Sequence, residues 1–172
     1  WAESNAIVFV NSVLGARTNR YGDFIDICAA LTGRVPEAGL HRDEHRLARV
    51  VFRLTGIPNE VLRSEIVFPV MGHLVGKLSG THVPAIVGLP PDASEDALKA
   101  LGAAAASSGG VAMFHAVGRT PEAATLEEAL GGRSPDRVIV VDAAMLAAAR
   151  AELSTRTEGP LAAISVGTPH FS

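Results

Sequence analysis

The sequence predicts a layered α/β fold: a parallel sheet with helices on both faces, preceded by an α-helical and loop segment. Three observations predict it. Short continuous apolar runs, such as 83–89 and 138–141, read as strands buried on both sides. The segments between them begin at helix-capping residues and stop at glycines. The apolar content is 48% of 172 residues but only 5% is aromatic, so the core is built from Ala, Val and Leu, which suits close packing of helix on sheet.

Taken in order, residues 4–16 open with Ser4 as an N-cap and place Ile7, Val10 and Leu14 on one helical face. Val8, Phe9 and Val13 widen that face into a largely buried helix, although the β-branched run also suits a strand. Residues 17–23 carry no apolar period and read as a loop. Asp23 is expected to cap a helix over 24–31 that Gly33 terminates. Residues 34–45 are a polar loop holding Pro36, Gly39, His41 and His45. The regular part starts near residue 46. Residues 47–54 read as a strand and 59–79 as a helix kinked or broken at Pro69. Residues 83–89 form the next strand, and Ser94 caps a helix that closes at Gly109-Gly110. A strand over 111–116 follows. Thr120-Pro121 then places a cap and a first-position proline ahead of a helix ending at Gly131-Gly132. Residues 138–141 are a strand, Asp142 caps an Ala-rich helix ending near Leu153, and 161–166 is the last strand. The organisation is therefore a helical and loop segment over 1–45 and an α/β domain over 46–172. The chain starts at Trp1 and stops at Ser172, so both are expected to be parts of something longer.

Composition excludes several classes. High apolar content with a net charge of −3 excludes intrinsic disorder. No stretch approaches about 18 uncharged apolar residues, as a membrane-spanning helix requires. A balance of 15 basic and 18 acidic residues lacks the basic face of a nucleic-acid or anionic-lipid binder. Cys28 is the single cysteine, so no internal disulfide forms; a reducing, cytoplasmic setting is the natural expectation.

Open α/β sheets bind ligands outside the carboxyl ends of their strands. That rule singles out Pro90-Pro91-Asp92, His115 with Arg119-Thr120, Asp142, and above all Gly167-Thr168-Pro169-His170-Phe171-Ser172. There Gly and Pro set the backbone, and His170 can move a proton near neutral pH. The first segment is the other candidate. Glu3, Ser4 and Asn5 sit at a helix start that favours anions. Asn11 and Ser12 face either a polar substrate or nearby backbone. Arg17 and Arg20 either bind carboxylate or phosphate or belong to a solvated loop. His41 and His45 have ligand spacing only on a helix, and Glu44 completes no zinc motif. Cys28, flanked by apolar residues, reads as a small buried hydrophobe or, less simply, a ligand. Gly72, Gly76 and Gly80, four apart, read as close helix packing rather than a phosphate cradle.

Several stretches together resemble one family. These are WAESNA at 1–6, NSVLGARTN at 11–19, DICAALTGRVP at 26–36, GLH at 39–41, GHLVG at 72–76, FHAVGRTPEA at 114–123 and GTPHFS at 167–172. In this order, across the whole chain, they resemble the aconitase X family. The resemblance implies an aconitase-superfamily-like fold and a hydro-lyase that eliminates water from a small hydroxy acid. It also implies an iron–sulfur cluster or mononuclear iron as Lewis acid, ligated mainly outside this span. The substrate it implies first is cis-3-hydroxy-L-proline, and second mevalonate-5-phosphate, whose phosphate needs extra cationic groups. A noncatalytic acid-binding or assembly domain is the reading from another class. A small swivelling domain, fused or separate, is the implied partner. On this resemblance Ser4, Asn5, Arg17 and Asn19 bind substrate, and His170 and Ser172 act on it. Thr168 stands where some members carry a cysteine ligand, and threonine cannot replace a soft thiolate.

Overall fold

Four apolar runs pair side by side as parallel strands: β1 (Val50–Leu54), β2 (Pro84–Val87), β3 (His115–Ala116) and β4 (Arg137–Val141). The sheet order is β3-β2-β1-β4. The computed structural model describes residues 3–154, 158–160 and 163. The strand expected over 161–166 and the candidates Thr168, His170 and Ser172 thus lie outside the described residues, Ala163 apart.

The chain steps from β1 to β2 through α3 (Asn59–Leu62) and α4 (Val67–Ser79), and from β2 to β3 through α5 (Glu95–Gly109). It then reverses across the sheet through α6 (Leu126–Leu130) to reach β4, followed by α7 (Ala143–Glu152). Right-handed crossovers running in opposite directions put their helices on opposite faces. The core divides accordingly. Val50, Phe52, Ile86 and Phe114 pack with residues of α4, α5 and α7 and with Val8 of α1 (Glu3–Ser12). On the other face Val51 and Ala85 pack with Ala129 and Leu130 of α6. That second layer ends short of β4, where Val138 and Val140 are exposed.

Close approach of α4 to α5 accounts for Gly72 and Gly76 as packing, whereas Gly80, read with them as a packing glycine, instead caps α4 at φ +62° with nothing near where its Cβ would lie. A Cβ on Gly72 would lie 2.1 Å from the Leu101 carbonyl oxygen, and one on Gly76 would lie 2.4 Å from that of Ala105. The caps mostly follow the sequence. Ser94 Oγ accepts from the Ala97 amide at 3.1 Å, and Asp142 Oδ1 from the Met145 amide at 2.8 Å. Gly33, at φ 65°, closes α2 (Asp23–Thr32) in the left-handed conformation.

Four expectations are corrected. The helical stretch 59–79 breaks at 63–66, ahead of Pro69; the proline sits in the first turn of α4, where its missing N–H costs nothing. Gly22 occupies the N-cap position of α2, with no side-chain cap bond, so Asp23 is the first helical residue rather than the cap. Thr120 caps no helix: its hydroxyl bonds back to the Ala116 amide and carbonyl, and 119–125 is a turn. Helix α6 instead starts after Thr125, which forms a capping box with Glu128. Finally, Cys28 is exposed. Over 24–32 helix α2 buries no residue, and Phe24 and Leu31 on it stand 80% and 82% exposed.

Candidate active site at the amino edge of the sheet

The segment from Gly15 to Arg46 folds over the amino ends of β1, β2 and β3. Leu40 packs with Val83 and Met113, which immediately precede β2 and closely precede β3. Two 3-10 turns, Gly39–His41 and Asp43–His45, carry the polar loop. Gly39 is required there twice over: its φ is +56°, and a Cβ would lie 2.2 Å from Asn19 Nδ2. Asn19 Oδ1 faces the Leu40 amide at 3.4 Å. Arg17 donates to the His41 carbonyl at 3.2 Å and pairs with the Asp43 carboxylate, and its side chain is 47% exposed. Tyr21 stacks on the His41 ring with centroids 5.9 Å apart, and its hydroxyl is 3.1 Å from His41 Nε2. His45 Nδ1 donates to the Gly39 carbonyl at 3.0 Å. Arg17, Asn19, Tyr21 and His41 therefore share one partly open cluster.

The two guanidiniums of the loop do not converge. Arg17 turns to Asp43, whereas Arg20 lies by Gly110, 3.2 Å from where a Cβ would sit there. Ser4 and Asn5 lie in the first turn of α1, so Ser4 is inside the helix rather than its cap. Asn11 and Ser12 are buried and serve the protein itself. Asn11 Oδ1 accepts from the Thr18 amide and from Arg46, both at 3.1 Å. Ser12 Oγ accepts from the Phe114 amide at 2.9 Å.

Beneath the cluster lies a network that sequence reasoning missed. Arg46 is buried and forks onto Glu122, with Nε–Oε2 at 2.8 Å and Nη2–Oε1 at 2.6 Å. His115, expected at a strand exit, is instead buried in β3 and donates from Nε2 to the Arg46 carbonyl at 2.7 Å. Among the described residues its Nδ1 has no partner, so the ring is held as the neutral Nε2–H tautomer. Burial pushes its pKa below the ordinary 6.5. The Arg46 carbonyl and the Glu122 charge oppose that shift, and the Arg46 charge adds to it. The available signal was the pairing of Arg46 with an acidic residue 76 positions away, which no local pattern reveals.

The carboxyl edge offers less. Pro90 and Asp92 line a crevice of about 220 Å³ together with Arg63, whose guanidinium pairs with Asp92. Arg119 donates to the Ala93 carbonyl at 2.7 Å. Among the described residues no three His, Cys, Asp or Glu side chains gather as a metal needs. Cys28 is solitary on α2, while His41 and His45 turn to Tyr21 and Gly39. These residues do not fit an iron centre. No described helix is long and apolar enough to cross a membrane.

Residues 1–44 match the first domain of aconitase X, and residues 48–151 match its second domain. The chain belongs to the aconitase X family. It is 49% identical, over its whole length, to a cis-3-hydroxy-L-proline dehydratase of Pseudomonas aeruginosa, and spans 29% of that protein. It is 42% identical to the phosphomevalonate dehydratase large subunit of Methanothermobacter thermautotrophicus, covering all of this chain and 40% of that one. The crystal structure of Thermococcus kodakaraensis aconitase X in its holo-form superposes with a TM-score of 0.76 at 35% identity, over 91% of this chain and 38% of that one. The aconitase X chain described here thus corresponds to less than a third of the hydroxyproline dehydratase.

Proposed function

We propose that this chain is the part of an aconitase X hydro-lyase that anchors the substrate carboxylate, and that the whole enzyme dehydrates cis-3-hydroxy-L-proline. The observation that carries this is the 49% identity, without loss of coverage, to a dehydratase named for that substrate. Elimination of water needs a held carboxylate, a base for the proton beside it, and help for the departing hydroxyl. Arg17 supplies the first: its half-exposed guanidinium can take a carboxylate bidentately, exchanging its surface pair with Asp43. Asn19, fixed against Gly39, adds a hydrogen-bonding group beside it. Ser4 and Asn5 contribute at the start of α1, and His170 and Ser172 act on the reacting hydroxyl. An iron centre, held by ligands in the rest of the longer protein, would supply Lewis-acid assistance. In this reading residues 1–45 line the site, 46–172 form the supporting domain, and a small closing domain or subunit completes the enzyme. The name "large subunit" among the archaeal relatives is in keeping with that partner.

Those relatives favour a second reading, dehydration of mevalonate-5-phosphate. The separation of Arg17 from Arg20 counts against it, because the loop then offers one cation where carboxylate and phosphate need two. The two substrates, assayed side by side with the full-length iron-loaded protein, decide between them. Turnover of cis-3-hydroxy-L-proline alone is expected. Turnover of the phosphate ester alone replaces the first reading with the second, and turnover of neither overturns both.

A further inference from the structure

We propose that Arg46 is a positioning residue, which sets the Arg17 and His41 edge of the site from below; its functional consequence rests on the reading of Arg17 given above. The guanidinium is 2% exposed and fully engaged. Nη1 donates to the Leu40 carbonyl at 2.9 Å and to Asn11 Oδ1 at 3.1 Å. Nη2 donates to the carbonyls of Ala16 at 3.1 Å and Asn11 at 3.2 Å, and Nε donates to the Glu122 carboxylate. Ala16 immediately precedes Arg17, and Leu40 immediately precedes His41. One planar group therefore holds the backbone on which both candidate side chains start. The Asn11 oxygen it grips also accepts the Thr18 amide, which tethers the other side of Arg17.

Only a fork of this shape reaches all these acceptors at once. Lysine is a point charge on a flexible stem and cannot bridge the Ala16 and Leu40 carbonyls. Glu122 neutralises the buried charge, and it comes from the turn after β3, so the loop is pinned to the sheet and not merely to itself. The neighbourhood is rigid for the same reason: His115 of β3 holds the Arg46 carbonyl. Displacing the guanidinium should free residues 16–20 and 40–45 while leaving the sheet intact.

The test uses the full-length protein with Arg46→Lys and, as a milder change, Glu122→Gln. Amide exchange is read at Thr18 and Leu40, with Phe52 and Ile86 as core references. Exchange at the first pair faster by about tenfold or more, with the core unchanged, is the expected result. Unchanged exchange at Thr18 and Leu40, or equal acceleration everywhere, overturns the proposal. The second arm combines each variant with Arg17→Ala and measures KM for cis-3-hydroxy-L-proline. The penalty of losing Arg17 should shrink by roughly tenfold in either background, because the two residues act together. An equal penalty in all backgrounds refutes the coupling. No penalty from Arg17→Ala in the otherwise native protein refutes the carboxylate reading instead, and the exchange data then judge Arg46 alone.

Discussion

Replacing Gly76 by alanine tests the packing that underlies the sheet, because two opposing effects have to be weighed. Alanine gains about 1 kcal/mol over glycine within a helix. Here its methyl group would lie 2.3 Å from Ser108 Oγ, 2.4 Å from the Ala105 carbonyl oxygen and 2.9 Å from the Ala105 Cα. Non-bonded carbon contacts are best at about 3.5–4.0 Å, so α4 and α5 must part by about 1 Å. Two of the obstructing atoms are backbone and cannot rotate away. Gly109 makes the same approach from the α5 side, where a Cβ would fall 1.8 Å from the Gly76 carbonyl oxygen. Overpacking of this kind costs about 1–3 kcal/mol, occasionally more, and a backbone obstruction belongs at the upper end. The net expectation is a loss of about 1–2 kcal/mol. Chemical unfolding of the full-length protein measures it. An unchanged or raised midpoint would show that the two helices do not meet as described.

Stability should also fall as pH drops below about 6.5, the ordinary value for histidine. His115 has a depressed pKa when folded, so the unfolded chain binds more protons between the two values, and that contribution is complete only above 6.5. His115→Gln should flatten the pH dependence of stability between its depressed value and 6.5; an identical slope in the variant would contradict a buried neutral ring. Cys28→Ser should leave iron content and activity unchanged, since among the described residues Cys28 joins no metal-binding group. Loss of iron on that substitution would return Cys28 to the ligand set.

β1, β2 and β4 were legible because their signal is local, whereas the apolar run 111–116 enters the sheet only at His115–Ala116. Val50, Val51 and Phe52 must be buried wherever they lie, and a run flanked by capped helices has few other folds to enter. The glycines of α4 were legible for a similar reason, since a four-residue spacing on a helix marks one face. Helix boundaries were less so. Thr120-Pro121 looks like a helix start, but the Thr120 hydroxyl is taken by the Ala116 backbone, and the capping box at Thr125 and Glu128 wins. The rule that directs attention to the carboxyl ends of strands pointed away from the amino edge, where Arg17 and Asn19 lie. What directed attention to Arg17 and Asn19 was the run NSVLGARTN, and what it could not show was the buried guanidinium underneath. Arg46 meets Asn11, Leu40 and Glu122 only after folding, and three of its acceptors are backbone carbonyls that carry no sequence signal.

The most direct measurement is a crystal structure of the full-length protein with cis-3-hydroxy-L-proline bound. The substrate carboxylate should lie within about 3 Å of the Arg17 guanidinium, at the amino edge of the sheet and next to Asn19. A carboxylate held instead at the carboxyl edge, by Arg63 or Arg119 beside Asp92, with Arg17 still facing Asp43, would contradict the account.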